Sequence, residues 1–192
     1  MLDWLKPNRN YPEFWKNYLK EIDEKSSRFV VLSLEVQLDQ KSEKSIASIG
    51  AVTIIDNKIL VADCFEAAAT EKILVDDAQN ITVRPINLDE KQSVEKFVNF
   101  ISNATLVGHR IDIDLQIVNQ VLKNMNCGEI KNQAIDLEVM FRKWKNIPDN
   151  KQIEVKSILD TFEIEQSERT SAVYDALDLG LIFLKLKKRL GF

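Results

Sequence analysis

Three acidic residues stand where an apolar pattern does not call for them. Glu35 ends an apolar run within Leu34-Glu35-Val36, and Asp114 lies early in a helical stretch just after Gly108-His109. Asp175 falls on the inward side of a helical stretch, among Ala172, Val173, Ala176 and Leu179. In open α/β sheets, strand ends and helix starts converge on the ligand crevice. Carboxylates that meet there repel one another unless a cation sits between them, and oxygen-only ligands suit Mg²⁺ or Mn²⁺. Glu35, Asp114 and Asp175 are therefore the candidate catalytic and metal-ligating residues. Taken singly, each has a plainer role: Asp114 complements a helix dipole, Asp175 is a helical acid, and Glu35 is an edge charge. Their order and spacing together point to a site. Asp112-x-Asp114 also fits a nucleotide-sugar metal motif, but that pattern is common by chance.

Other chemistries are excluded by count. His109 is the only histidine, so no multi-histidine zinc site can form. Cys64 and Cys127 lie far apart and outside any C-x-x-C spacing, as expected for buried thiols. A net charge of −4 with a pI near 5.2 argues against broad phosphate neutralisation by a basic face. It leaves room for an acidic site that meets phosphate through a divalent ion. The basic run Lys185-Leu-Lys-Lys-Arg189 is expected to complement a helix C-terminus and face solvent, with phosphate contact the sharper alternative.

The elements that must position these residues follow from periodicity. Residues 11–22 predict an amphipathic helix with Phe14, Tyr18, Leu19 and Ile22 on one side. It is expected to dock through Phe14, Tyr18 and Ile22, either on its own domain or on a partner. Residues 29–34 form an apolar, β-rich run that suits a central buried strand. Residues 46–55 and 58–65 predict two further strands joined at Asp56-Asn57. Residues 66–90 are ambiguous: 70–77 fits a helical pattern, and Arg84-Pro85 marks a turn. Beyond them come a helix through 94–101, a strand at 105–108, a helix at 112–125 and a strand at 134–137. Helices at 138–144, 154–162 and 171–190 complete the chain. This order describes a five-stranded mixed sheet covered by helices on both faces, an α/β domain over 27–192 with a helical extension at 1–26. With 192 residues, 45% of them hydrophobic, one domain with a good core is expected. No apolar run approaches the ~20 residues of a membrane span, and no secretory signal is visible, so no membrane contact and a cytoplasmic location are expected.

Set in order, the motifs resemble the DEDD-type 3′–5′ exonucleases, of the DEDDh branch, including DNA polymerase III epsilon-like proofreading domains and ribonuclease T. Phe29-Val-Val-Leu-Ser-Leu-Glu35 is similar to a first motif, an apolar strand ending in Asp-x-Glu, and 46–52 to the strand that follows it. Leu106-Val-Gly-His109-Arg-Ile-Asp-Ile-Asp114 resembles Gly-His-Asn-x-x-Phe-Asp, and Ile135-Asp136-Leu137 resembles Ile-Asp-Thr. Thr170-Ser-Ala172-Val-Tyr-Asp175-Ala176 is similar to His-x-Ala-x-x-Asp-Ala. The resemblance runs from about residue 28 to 190. It implies a ribonuclease H-like fold and two-ion phosphodiester hydrolysis, with Glu35, Asp114 and Asp175 in three of the four carboxylate positions.

Two positions depart from that pattern. The Asp of Asp-x-Glu is Ser33, whose neutral hydroxyl is a poor Mg²⁺ ligand. The histidine that takes the proton from the attacking water is Thr170, and the tyrosine of a related branch falls on Ser171. His109 matches the structural histidine of the second motif. The family's substrate loop, Glu-Thr-Thr-Gly-Leu, becomes Glu35-Val36-Gln37-Leu38-Asp39, and the second-motif Asn becomes Arg110. Val36, Gln37, His109 and Arg110 are thus the candidate nucleic-acid-binding residues, with Arg110 able to supply positive charge beside the acids. The expectation is an exonuclease-like domain with lost or impaired hydrolysis and weak or absent Mg²⁺ or Mn²⁺ binding. Its expected partners are a nucleic-acid 3′ end, and a protein reached through the N-terminal helix. A weakly active Mg²⁺- or Mn²⁺-dependent exonuclease is the alternative.

Overall fold

A computed structural model describes residues 10–38, 44–68, 86–87, 89–148 and 151–191. Ten residues of β1 (Phe29–Leu38) run through the middle of the sheet. β2 (Lys44–Ile55) and β3 (Lys58–Ala68) follow as antiparallel neighbours, and β5 (Thr105–Gly108) and β6 (Ala134–Asp136) add in parallel on the other side. The five strands lie in the order β3-β2-β1-β5-β6, the expected mixed sheet with β1 at its centre. A two-residue strand, β4 (Ile86–Asn87), pairs with the end of β3 and extends that edge. The turn between β2 and β3 places Asp56 and Asn57 at positive φ, which these two residue types tolerate.

Alternation along β1 decides what covers each face. Val30 and Leu32 point into a cluster with α2 (Glu90–Ile101) and α3 (Ile111–Asn124), where Val94, Phe97, Val118 and Leu122 are buried. Val31 points the other way, toward α4 (Leu137–Lys145), α5 (Val155–Phe162) and α6 (Ala172–Leu190), with Phe141, Ile158 and Phe183. All three β1 residues are fully buried, as the unbroken apolar run requires. No helix among the described residues is long and apolar enough to cross a membrane. The ambiguous 70–77 and 84–85 segments lie outside the described residues.

The first helix, α1 (Glu13–Glu21), docks on its own domain. Phe14 and Tyr18 are buried as expected, Ile22 is partly covered, and Trp15 is completely enclosed. The face considered for a partner is thus occupied within the chain. Tyr18 fixes the register of this docking. Its hydroxyl donates to Asn132 Oδ1 at 2.8 Å and accepts from the Lys131 N–H at 2.6 Å. Asn132 in turn donates to the Ser102 and Ala104 carbonyls. Burial pushes the Tyr18 hydroxyl up to about 12, so it stays protonated and able to donate. Tyr18→Phe leaves the Lys131 N–H and one Asn132 oxygen without this partner. The expected cost is about 1–3 kcal/mol, read by urea denaturation. An unchanged midpoint would show that α1 is not held by this network.

Candidate functional site

Parallel pairing sets the site's position. Val31 lies opposite Val107, and Gly108 opposite Asp136, so β1, β5 and β6 all end toward one side of the sheet. Glu35 stands in the last part of β1, and Asp114 in the first turn of α3, which follows β5 after two residues. Asp175 stands in the first turn of α6. That turn is seated on the sheet at Gly50, where a Cβ would collide with the backbone of Ala172 and Val173. Gly50 is also the residue paired with Ser33, which puts the start of α6 beside the first motif.

Each acid is already engaged or perturbed. Glu35 Oε2 accepts from the Ser48 hydroxyl at 2.6 Å, and Ser48 is itself buried. Burial pushes Asp114 up to about 7, with Asp112 and Asp136 adding to the rise and Arg110 opposing it. Asp136 stands outside the expected acids and acts as a double cap. Its Oδ1 accepts from the Glu138 and Val139 N–H groups, and its Oδ2 from Ile111 N–H. One carboxylate therefore starts both α3 and α4, a role that the Ile-Asp-Leu stretch alone does not reveal. Glu66 is a second acid outside the expectation, buried on β3 opposite Gly50 and on the sheet face of Ser33 and Glu35. It fell in the ambiguous stretch, where its only signal is an acid that interrupts Cys64-Phe65 and Ala67-Ala68.

His109 is committed to structure. Its Nε2 lies 2.7 Å from the Ile153 carbonyl, which can only accept, so this nitrogen carries the proton. Glu138 lies 3.8 Å from the same nitrogen, pairs with Arg142, and accepts from the Ile153 N–H. The cluster ties the second motif to the segment before α5. Tyr174 is turned to Arg169, which hydrogen-bonds its hydroxyl and lies over its ring. Thr170 is exposed just before the start of α6.

Val36 and Gln37 differ from the expected loop. They continue β1 as an exposed arm paired with Ile46 and Ser45, beyond a register shift that leaves Ala47 unpaired. The bulge separates the buried part of β1 from the arm and re-aims the strand at Glu35. Arg110 is the residue before α3 and takes a left-handed backbone, φ 54 and ψ 45.

Glu35, Asp114 and Asp175 thus share one side of the sheet. Among the described residues, however, no three His, Cys, Asp or Glu side chains come together as a metal site would need. Ser33 brings no charge to such a site, and the Asp136 carboxylate is engaged by two helix starts, so fewer anionic ligands face a divalent ion here than four carboxylates would supply.

The mixed sheet and its flanking helices give the chain a ribonuclease H-like fold like that of 3′–5′ exonucleases, with the three acids at one side of the sheet. Among curated proteins it is similar to the PolC-type DNA polymerase III of Caldanaerobacter subterraneus subsp. tengcongensis, 24% identical over 172 residues. The PolC-type enzyme of Halalkalibacterium halodurans is 27% identical over 168 residues. Each alignment covers 84% of this chain but only 12% and 11% of those much longer proteins. The DNA polymerase III epsilon subunit of Aquifex aeolicus is 24% identical over 102 residues, 53% of this chain and 50% of the subunit. Among solved structures, the nuclease domain of 3′hExo, a DEDDh family member bound to rAMP, superposes with a TM-score of 0.63 at 10% identity. That superposition covers 86% of this chain and 93% of 3′hExo. Exonuclease I of E. coli, in complex with a dT13 oligonucleotide, gives 0.61 at 12% identity over 85% of this chain and 42% of its own. No protein-family model matches the chain.

Proposed function

We propose that the chain is a pseudoenzyme of the exonuclease fold, in which phosphodiester hydrolysis is lost or strongly impaired and binding of a nucleic-acid 3′ end is retained. The observation that carries this reading is the pair Ser33 and Thr170. A serine hydroxyl cannot bridge two cations, and a threonine cannot take a proton from water at neutral pH. Glu35, Asp114 and Asp175 are the inherited acids, and any Mg²⁺ or Mn²⁺ held by them binds weakly. In this reading Val36 and Gln37 on the exposed arm, with Arg110 just before α3, form the surface that meets the terminal nucleotides, and His109 supports it from beneath through its bond to Ile153. A bound oligonucleotide in structural relatives supports that surface without assigning DNA or RNA to this chain. A cytoplasmic setting suits both features.

Losing a metal ligand and a base each removes on the order of a hundredfold in rate or affinity. A 3′-labelled single strand incubated with the protein and Mg²⁺ or Mn²⁺ is therefore expected to stay at full length. Glu35→Ala should be indistinguishable from wild type in that assay. Robust 3′-end trimming that disappears in Glu35→Ala would refute the proposal.

A further inference from the structure

The end of α6 remote from Asp175 carries Lys185, Lys187, Lys188 and Arg189, and α4, packed against it, ends in Arg142, Lys143 and Lys145. Trp144 lies between the two groups. Phe162 stacks on its ring with centroids 5.0 Å apart and planes at 11°. Two cations share the same indole, Lys145 Nζ at 4.3 Å and the Arg189 guanidinium at 5.6 Å from the centroid. Each gains about 0.5–1 kcal/mol from the ring at an exposed site, while the two charges repel each other. Among the described residues neither has a carboxylate within ion-pair distance, although Asp160 lies in α5 and Glu163 directly follows it. Arg142 is already neutralised by Glu138, and Lys187 is bonded to Asn57. Lys143, Lys145, Lys185, Lys188 and Arg189 are exposed, a concentrated positive surface on a chain of net charge −4.

We propose that this surface binds the phosphodiester backbone of a nucleic-acid strand whose 3′ end occupies the acidic side of the sheet. The inference rests on the 3′-end reading above. Asp175 and Arg189 are 14 residues apart on one helix, which is about 21 Å at 1.5 Å per residue. A stacked strand rises about 3.4 Å per nucleotide, so at least about six nucleotides are needed to reach from one surface to the other. The two cations on Trp144 are held by the ring and, among the described residues, have no carboxylate partner. A strand engaged at its 3′ end would bring phosphates to them.

The test compares single strands of 4 and 20 nucleotides, both 5′-labelled with free 3′ ends, by fluorescence anisotropy across a salt series. Lys145→Glu with Arg189→Glu is set against Lys20→Glu with Lys123→Glu, exposed residues that change net charge equally elsewhere. Wild type is expected to bind the 20-mer more tightly than the 4-mer. The Lys145/Arg189 pair should lose at least about tenfold on the 20-mer, with a salt slope flatter by about 1.4 for two lost phosphate contacts. Its binding to the 4-mer should stay at the wild-type value, and its thermal midpoint should fall by no more than a few degrees for the two lost ring contacts. Unchanged 20-mer affinity, or an equal loss in the Lys20/Lys123 pair, overturns the proposal. So does an equal loss of binding to polyglutamate, which would assign the surface to acidic polymers in general. If wild type binds both lengths alike, this inference falls and the 3′-end reading stands; if it binds neither, both fall.

Discussion

Gly50→Ala is expected to cost at least about 4 kcal/mol, a range reached by few single substitutions. The added methyl would meet the backbone of Ala172 and Val173, not the yielding end of a side chain, so α6 must lift or β2 must bend. Against a total stability of about 5–15 kcal/mol, much of the folded margin would go. For a chain of this length the thermal midpoint should fall by about 8–16 °C. Gly180→Ala serves as the internal control. There the methyl meets only side-chain ends, Ile59 at 3.3 Å with Val52 and Ile54 at 3.6 and 3.7 Å, and alanine is the better helix former, so little loss or a small gain is expected. A Gly50→Ala protein that melts within a few degrees of wild type would mean that the close approach of α6 to the sheet is absent. That approach also fixes where Asp175 stands, so any survivor should have its first α6 turn displaced from Ser33.

Asp114→Asn is expected to stabilise the protein at pH 8 and to change little at pH 4. The folded carboxyl is pushed up to about 7, from an ordinary 3.8, by burial first and then by Asp112 and Asp136. Between about pH 4 and pH 7 the folded state holds a proton that the unfolded state has lost. This group's contribution is therefore most favourable below pH 4, declines as pH rises to about 7, and is level above that. At about 1.4 kcal/mol per pKa unit the full effect has a ceiling of about 4 kcal/mol, and partial solvent access lowers the expected gain to about 2 kcal/mol. Asparagine keeps the shape and removes the ionisation. Urea midpoints across pH 4 to 8 should diverge steadily in favour of Asp114→Asn. A loss of stability at pH 8, or a gain independent of pH, would show that Asp114 is held by an opposite charge that outweighs its burial.

Much of the fold could be read because apolar period and burial coincide. Within the run Phe29 to Leu34, Val30, Val31 and Leu32 are buried on both faces of the sheet, and the spacing through 94–101 matches a helix with one covered side. Boundaries failed where hydrogen bonding acts without burial. β1 runs on to Leu38 through exposed Val36, Gln37 and Leu38, held by pairing to β2 and invisible to an apolar pattern. Trp15 was missed because it lies between the Phe14 and Tyr18 positions that define the amphipathic side, yet α1 is covered over a wider arc. The places of Asp114 and Asp175 in the first turns of helices were legible from the sequence, whereas Glu35 stands inside β1 and not at its end. The double cap made by Asp136 and the buried position of Glu66 were not legible, since both depend on register between strands distant in sequence.

The backbone at Arg110 has a bearing on what this residue costs the fold. Seven non-glycine residues among those described have positive φ, and four of them are Asp or Asn. The motif asparagine that the resemblance puts at position 110 is of that tolerant kind. Arginine in the left-handed region carries a conformational cost on the order of 1–2 kcal/mol. An asparagine at this point would bear less of that cost than the arginine does. The same guanidinium opposes the rise in the Asp114 pKa, so the strained turn before α3 also carries the positive charge that restrains that acid's shift.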